Sequence, residues 1–236
     1  MEDEEEREEQ GLSELYLEFF SHSVPSILNK GKNGDMVFCD PENEVAMILD
    51  GTDGAGGVQA SQTTRDFLAQ RLSRIGDLTP PIVKMLLGEA LSEAAFILSK
   101  EKIGGGTTVT VVKFLKLKRK RRAIIGHVGN SRVYLFRRGR LMQVTRDDEG
   151  VVSGMHSDTL APQMYNISLN RRDKLILLSD GLYENLIELE IKELATSGQP
   201  NLALALVNSA KERTFDKTSA LRPKPDDMSA VVIEVR

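Results

Sequence analysis

The stretch Glu44–Ser61, E-V-A-M-I-L-D-G-T-D-G-A-G-G-V-Q-A-S, limits the folds open to this 236-residue chain more than any other. A short apolar run, Val45 to Leu49, delivers a carboxylate, Asp50, to a loop with four glycines in seven residues. That pattern is a strand ending in a sharply turned loop. The glycines open positive φ and let peptide groups approach a ligand without side chains in the way. From Val58 onward the sequence turns amphipathic, so the loop empties into a helix. Three readings are open for the stretch: a phosphate cradle, a metal-binding carboxylate at a strand end, or a structural glycine turn. Neither G-x-x-x-x-G-K-[ST] nor G-x-G-x-x-G occurs here, which weakens the first.

Composition narrows the setting. With 40% hydrophobic and 28% charged residues, the chain suits a globular domain able to bury a substantial core. Its single cysteine, Cys39, excludes an internal disulfide and fits a reducing compartment. No apolar run approaches the roughly 20 residues of a membrane helix, and the N-terminus is acidic where a signal peptide is basic. A cytoplasmic protein without membrane insertion is expected. The first ten residues carry −6 against a net charge of −4, so the remainder is near +2. Residues 1–10 are therefore expected as a disordered acidic tail, and 11–236 as a single domain.

Periodicity predicts the elements. Leu12, Leu15, Tyr16, Phe19 and Phe20 recur at helical spacing, which predicts an amphipathic helix over Gly11–His22. Ser23–Leu28 reads as a strand. Met36–Cys39 and Val45–Leu49 read as a hairpin around the turn formers Asp40-Pro41-Glu42-Asn43, which brings Asp35 toward Asp50. Helices follow over Val58–Ile75 and Pro80–Lys100, the second with prolines in its first turn. Strands are predicted after Gly106, over Ala123–Val128, and in a hairpin Arg132–Arg137 with Arg140–Thr145. Arg146–Pro162 lacks a period and reads as a mobile loop. Met164–Leu169 and Lys174–Leu178 read as strands, Leu182–Leu194 and Asn201–Arg213 as helices, and Met228–Val235 as a last strand. Eight to ten strands, mostly in antiparallel hairpins, with an early and a late helical pair, predict an α+β domain: two packed antiparallel sheets flanked by helices on both sides.

Acids collect at the strand ends. Asp50 follows V-A-M-I-L, Asp180 follows L-I-L-L-S, Asp226-Asp227 precede M-S-A-V-V, and Asp35 precedes M-V-F-C. If those ends converge, the carboxylates repel one another unless cations neutralise them. Oxygen-only ligands suit Mg²⁺ or Mn²⁺ better than Zn²⁺, and the three histidines form no ligand pair. A two-metal site able to activate water for attack on phosphorus or a carbonyl is the expected product. Taken singly, each aspartate is equally a cap or a turn former.

In order along the chain, Lys30 with Asn33-Gly34-Asp35, Asp50-Gly51 with Gly56-Gly57, Gly106-Thr107-Thr108, Val128-Gly129-Asn130-Ser131-Arg132-Val133-Tyr134, Thr145-Arg146-Asp147, Ser179-Asp180-Gly181 and Asp226-Asp227-Met228-Ser229 form seven blocks. Their order and spacing resemble the metal-dependent type 2C (PPM) serine/threonine protein phosphatases, over essentially all of the chain after residue 23. The resemblance implies a four-layer αββα sandwich that hydrolyses phosphoserine and phosphothreonine in proteins through a hydroxide bridging two Mg²⁺ or Mn²⁺ ions. It implies Asp50 as the bridge between the ions, the Gly51 carbonyl on one, Asp180 and Asp226 on the other, Asp35 holding metal-bound water, and Lys30 facing the phosphate. The implied partner is a phosphoprotein of a serine/threonine kinase pathway, with no nucleic acid.

Several residues depart from that pattern. Lys30 stands in place of arginine, Gly34 in place of an acid, Thr52 in place of methionine or histidine, and Asn130 in place of an aspartate that helps hold a third ion; Glu184 stays near where that aspartate's partner would lie. A catalytically weak, phosphatase-like regulatory or binding module is the alternative these substitutions raise. Asp53 is the alternative to Asp50 as bridge. The basic run Lys116–Arg122 reads as a solvated hairpin tip, His127 and Cys39 as packed structural residues, and His156 as a lone histidine.

Overall fold

Short apolar runs bounded by turn formers, several of them apolar at consecutive positions, build two sheets. The structure, a computed structural model, describes residues 15–28, 32–76, 78–117, 120–155, 160–215 and 223–236. Its elements are β1 (Leu17–Val24), β2 (Asp35–Asp40), β3 (Val45–Gly51), α1 (Ala55–Leu72), α2 (Pro80–Lys100), β4 (Gly106–Leu117), β5 (Lys120–Val128), β6 (Arg132–Arg137), β7 (Arg140–Gln143), β8 (Val152–Ser153), β9 (Gln163–Leu169), β10 (Lys174–Leu178), α3 (Asp180–Tyr183), α4 (Glu188–Thr196), α5 (Leu202–Phe215) and β11 (Met228–Val235). One sheet runs β1-β11-β10-β6-β7; the other runs β2-β3-β4-β5-β9, with β8 on β4, and the strand pairs are antiparallel.

Three apolar clusters fill the four layers. Ile48, Val112, Ile125, Val133, Leu177 and Val231 meet between the sheets. Met47, Leu68, Leu87 and Leu91 join α1 and α2 to one outer face, and Ile176, Ile191, Leu206, Val207 and Val232 join α4 and α5 to the other. Both sheets are thus covered on both faces, and the predicted α+β sandwich is the observed fold. Among the described residues, no helix is long and apolar enough to cross a membrane.

Four expectations are corrected. The helix predicted over Gly11–His22 is, in its described part, the strand β1. Leu17 and Phe19 enter the inter-sheet core while Phe20 and Val24 face the helices, so the apolar spacing served two faces of a strand. The strand predicted over Ser23–Leu28 stops at Val24, because Pro25 has no N–H and the Ser26 N–H donates to Asp227 Oδ1 at 2.6 Å. The loop expected without structure at Arg146–Pro162 is tied down over its described part: β8 pairs with Gly106 and Thr107, and Asp148 Oδ1 accepts from the Gly129 and Gly150 N–H groups. The helix predicted over Leu182–Leu194 is broken into α3 and α4. The Asn185 side chain donates at 2.7 Å to the Gly181 carbonyl, the acceptor that an unbroken helix would offer to the Asn185 N–H.

The basic tip also differs from expectation. Arg121 is buried, donates to the Leu15 carbonyl and pairs with Glu44, and Arg122 donates to Asn166. Lys118 and Arg119, like the acidic tail, Lys30 and His156, lie outside the described residues.

Candidate active site

The alternation of β-strands determines where the polar residues meet. In β2, Val37 and Cys39 point between the sheets, so Asp35 does too; in β3, Ala46 and Ile48 point there, so Asp50 does. The register pairs Asp35 with Asp50 and Asp50 with Thr108. By the same parity Ser131, Ser179 and Ser229 close the inner face on neighbouring strands. The mouth of the inter-sheet core is therefore lined with hydroxyls and carboxylates where deeper positions are aliphatic.

Asp35 is the innermost acid. Only 3% exposed, it has among the described residues no hydrogen bond of good geometry to either carboxylate oxygen. Burial pushes its pKa up to about 7, against the Ser229 and Ser179 hydroxyls that lower it, and the charges of Asp227 and Asp180 push further. Asp50 is pushed to about 10, first by burial and then by Asp35, Asp180 and Asp226. Two carboxyls held this far up mark a site whose acids outnumber the positive charges among the described residues. Unpartnered buried carboxylate oxygens and an oxygen-only donor set fit hard divalent cations.

The remaining acids arrive from the other sheet. Asp180 opens α3 immediately after β10, and Asp226 precedes β11. A Cβ on Gly181 would lie 2.1 Å from the Asp227 carbonyl, so only glycine lets α3 approach the 226–227 segment this closely. The Asp226-Asp227 doublet divides its tasks. Asp227 is buried and accepts from the Ser26 and Gly34 N–H groups, both at 2.6 Å, which locks the segment before β2 onto the one before β11. Asp226 turns outward into the mouth. Asp53 is exposed beyond the end of β3, whereas Asp50 faces inward with Asp35.

Three of the residues that depart from the phosphatase pattern, Asn130, Thr52 and Gly34, have definite partners. Asn130 Nδ2 donates to Asp180 Oδ2 at 3.0 Å. Thr52 Oγ1 accepts from the Gly106 N–H at 3.1 Å, and the Thr52 N–H donates to the Gly106 carbonyl at 2.9 Å, which ties the Asp50 loop to β4. The Gly34 carbonyl accepts from the Gly51 N–H and from Ser61 Oγ. Arg132 binds Asp147 through its guanidinium, which also lies 3.8 Å from the centre of the Tyr183 ring.

Sequence reasoning missed two residues here. Lys224 Nζ lies 2.6 Å from Asp180 Oδ2, 3.2 Å from Asp226 Oδ2 and 3.5 Å from Glu184 Oε2. Burial pulls its pKa down, but the hydrogen bond and charge of Asp180 and the charge of Asp226 outweigh that and raise it above the ordinary lysine value. Asn185, fully buried, donates to the Lys224 carbonyl and accepts from the Lys224 N–H. Neither carries a sequence signal: one is a lysine in a proline-flanked loop, the other an asparagine in an apparent helix. Among the described residues no three potential ligand side chains stand at ion-binding spacing, and Asp180 and Asp226 instead hold Lys224.

Among the described residues, openings reach the acids from more than one side. A cleft of about 420 Å³ is lined by Asp50, Thr52, Thr108, Asn130, Asp148 and Asp180. A smaller one of about 170 Å³ is lined by Lys32, Gly34, Gly51, Asp53 and Asp226. The arrangement can concentrate divalent cations beside an open cleft and so activate water against an electrophile entering from solvent.

Comparison with known proteins gives three findings. The family described as stage II sporulation protein E (SpoIIE) matches residues 54–236. The serine/threonine protein phosphatase PstP of Mycobacterium tuberculosis is 25% identical over an alignment of 257 residues that covers 94% of this chain and 45% of PstP, so the chain spans about half the length of the curated relatives it matches. Among solved structures, the PstP catalytic domain in complex with two manganese ions superposes with a TM-score of 0.79 at 22% identity, covering 94% of this chain and 99% of that one. The Pseudomonas aeruginosa protein PppA gives 0.77 at 22% identity, covering 94% and 98%, and an S. agalactiae serine/threonine phosphatase gives 0.77 at 18%, covering 94% and 100%.

Proposed function

This chain belongs to the stage II sporulation protein E (SpoIIE) family and has the fold of the type 2C metal-dependent phosphatases, and on that basis we propose that it hydrolyses phosphoserine and phosphothreonine in proteins. The observation that carries the reading is the pair of facing carboxyls, Asp35 and Asp50, held far above their ordinary pKa at the mouth of the inter-sheet core beside Asp180 and Asp226. Asp50, the Gly51 carbonyl, Asp180 and Asp226 would hold two Mg²⁺ or Mn²⁺ ions. When bound, such ions supply charge neutralisation and an activated water.

The chain's own residues do the rest. Asp35 backs Asp50 and orients water from behind it. Lys30, by the family pattern, and Lys32, which lines the smaller opening, would supply positive charge to the phosphate, as point charges without the fork of an arginine. The phosphorus–oxygen bond to the serine or threonine breaks as water's oxygen bonds to phosphorus, and the proton that this water gives up goes to the leaving alkoxide. Products are inorganic phosphate and the free hydroxyl. The kinase pathway that supplies the phosphoprotein is part of the same proposal.

A second reading has one observation in its favour: Asn130 places a neutral amide on Asp180 where the phosphatase pattern has a carboxylate. A phosphatase-like module that binds metal and turns over weakly would result. Hydrolysis of a phosphothreonine peptide, measured with Mn²⁺ and with chelator, separates the two. Chelator-sensitive turnover supports the phosphatase; Mn²⁺ binding without turnover on any phosphopeptide supports the module. Turnover indifferent to chelator contradicts both.

A further inference from the structure

Resting on that two-ion reading, we propose that Lys224 is a built-in counter-cation of the metal-free site, which a divalent ion must displace in order to bind between Asp180 and Asp226. Its ammonium bridges the two carboxylates assigned to one ion, 2.6 Å from the first and 3.2 Å from the second. The position is built into the fold. Asn185 grips the Lys224 backbone through its N–H at 3.0 Å and its carbonyl at 2.8 Å, and the same carbonyl accepts from the Asp226 N–H at 3.0 Å. Buried Asn185 also breaks the helix after Asp180, so one side chain sets both the acid and the lysine that covers it.

The physics of exchange follows from charge and reach. An ammonium and a dication cannot share the same two carboxylates, because like charges a few ångströms apart repel strongly in a half-buried site. Lysine is suited to leaving, as a point charge on a flexible stem. Its side chain is 31% exposed, and Glu184, 46% exposed and already 3.5 Å away, offers a partner outside the mouth. Lys224 therefore protects the metal-free fold from repulsion among its acids and raises the metal concentration at which the site fills.

The test is calorimetric titration of Mn²⁺ into the chelator-treated chain, with thermal melting in chelator, for the natural protein and Lys224→Met. The variant is expected to bind Mn²⁺ about tenfold more tightly, equivalent to about 1.4 kcal/mol, and to melt lower without metal. If the natural protein binds Mn²⁺ and Lys224→Met binds equally or more weakly, the role given to Lys224 is wrong while the metal site stands. If neither binds, both fail. Should the variant not fold without metal, the Lys224 side-chain NMR signals of the natural protein decide. Displacement by Mg²⁺ must shift them; signals that stay unchanged as Mg²⁺ binds overturn the proposal.

Discussion

Replacing Asp35 with asparagine should stabilise the metal-free protein. The carboxyl is fully buried, and its pKa rises from an ordinary 3.8 to about 7. A group whose folded pKa is raised favours folding only while protonated, so its contribution is intact below pH 3.8 and is lost as pH climbs to about 7. At about 1.4 kcal/mol per pH unit over that window, the full cost above pH 7 is about 4 kcal/mol. Asp50 shares part of it, because the two acids titrate together, and about half is a fair share for Asp35→Asn alone, ~2 kcal/mol. For a chain of this size that is roughly 4–8 °C in melting temperature. The assay is thermal melting in chelator at pH 8, repeated at pH 4.5. Asp35→Asn should melt higher at pH 8, with the gap nearly closed at pH 4.5, and should gain less from added Mn²⁺. A variant that melts lower than the natural protein at pH 8 would refute the argument that the acids of the mouth strain the empty site.

Other expectations follow from the same geometry. Asp180→Asn should reduce Mn²⁺-dependent phosphopeptide turnover by more than about 100-fold, beyond the range for outer residues of a metal site. Its melting temperature in chelator should stay within about 4 °C, since no core packing is removed; full activity would contradict its assigned role. Gly57→Ala should destabilise by about 3 kcal/mol, because the new Cβ would stand 1.7 Å from the Thr52 carbonyl oxygen and must push the Asp50 loop off α1. An unchanged melting curve would count against that packing. Burial pushes the Cys39 thiol from 9.0 to about 11, against the lowering by Ser21. Iodoacetamide at pH 8 should then modify the folded chain about 100-fold more slowly than the urea-unfolded one, and equal rates would contradict the shift.

What could be read in advance, and what could not, divides along physical lines. The β2–β3 hairpin was legible because Asp40-Pro41-Glu42-Asn43 is rich in turn formers and both flanks are apolar, so the facing of Asp35 and Asp50 followed from period-2 counting. The prolines opening α2 and the β-branched run of β4 were equally local signals. The N-terminal segment is not legible, because a strand half-buried on both faces loses its alternation and its leucines and phenylalanines fall by chance at helical spacing. The break between α3 and α4 rests on Asn185, whose side-chain amide bonds both the Gly181 carbonyl and Lys224, 39 residues away, and no local pattern reports the second bond. For the same reason no local pattern marks Lys224. Its importance lies in which carboxylates the fold brings to it.

Two divalent ions are proposed at the mouth of the inter-sheet core, on Asp50, Gly51, Asp180 and Asp226. Anomalous scattering at the manganese edge, from crystals grown with Mn²⁺, tests this most directly. Two peaks are predicted: one between Asp50, Asp180 and Asp226, the other against Asp50 and the Gly51 carbonyl, with Lys224 turned away from Asp226. A mouth without anomalous density at saturating Mn²⁺, or density only outside it at Glu184 or Asp53, would contradict the account.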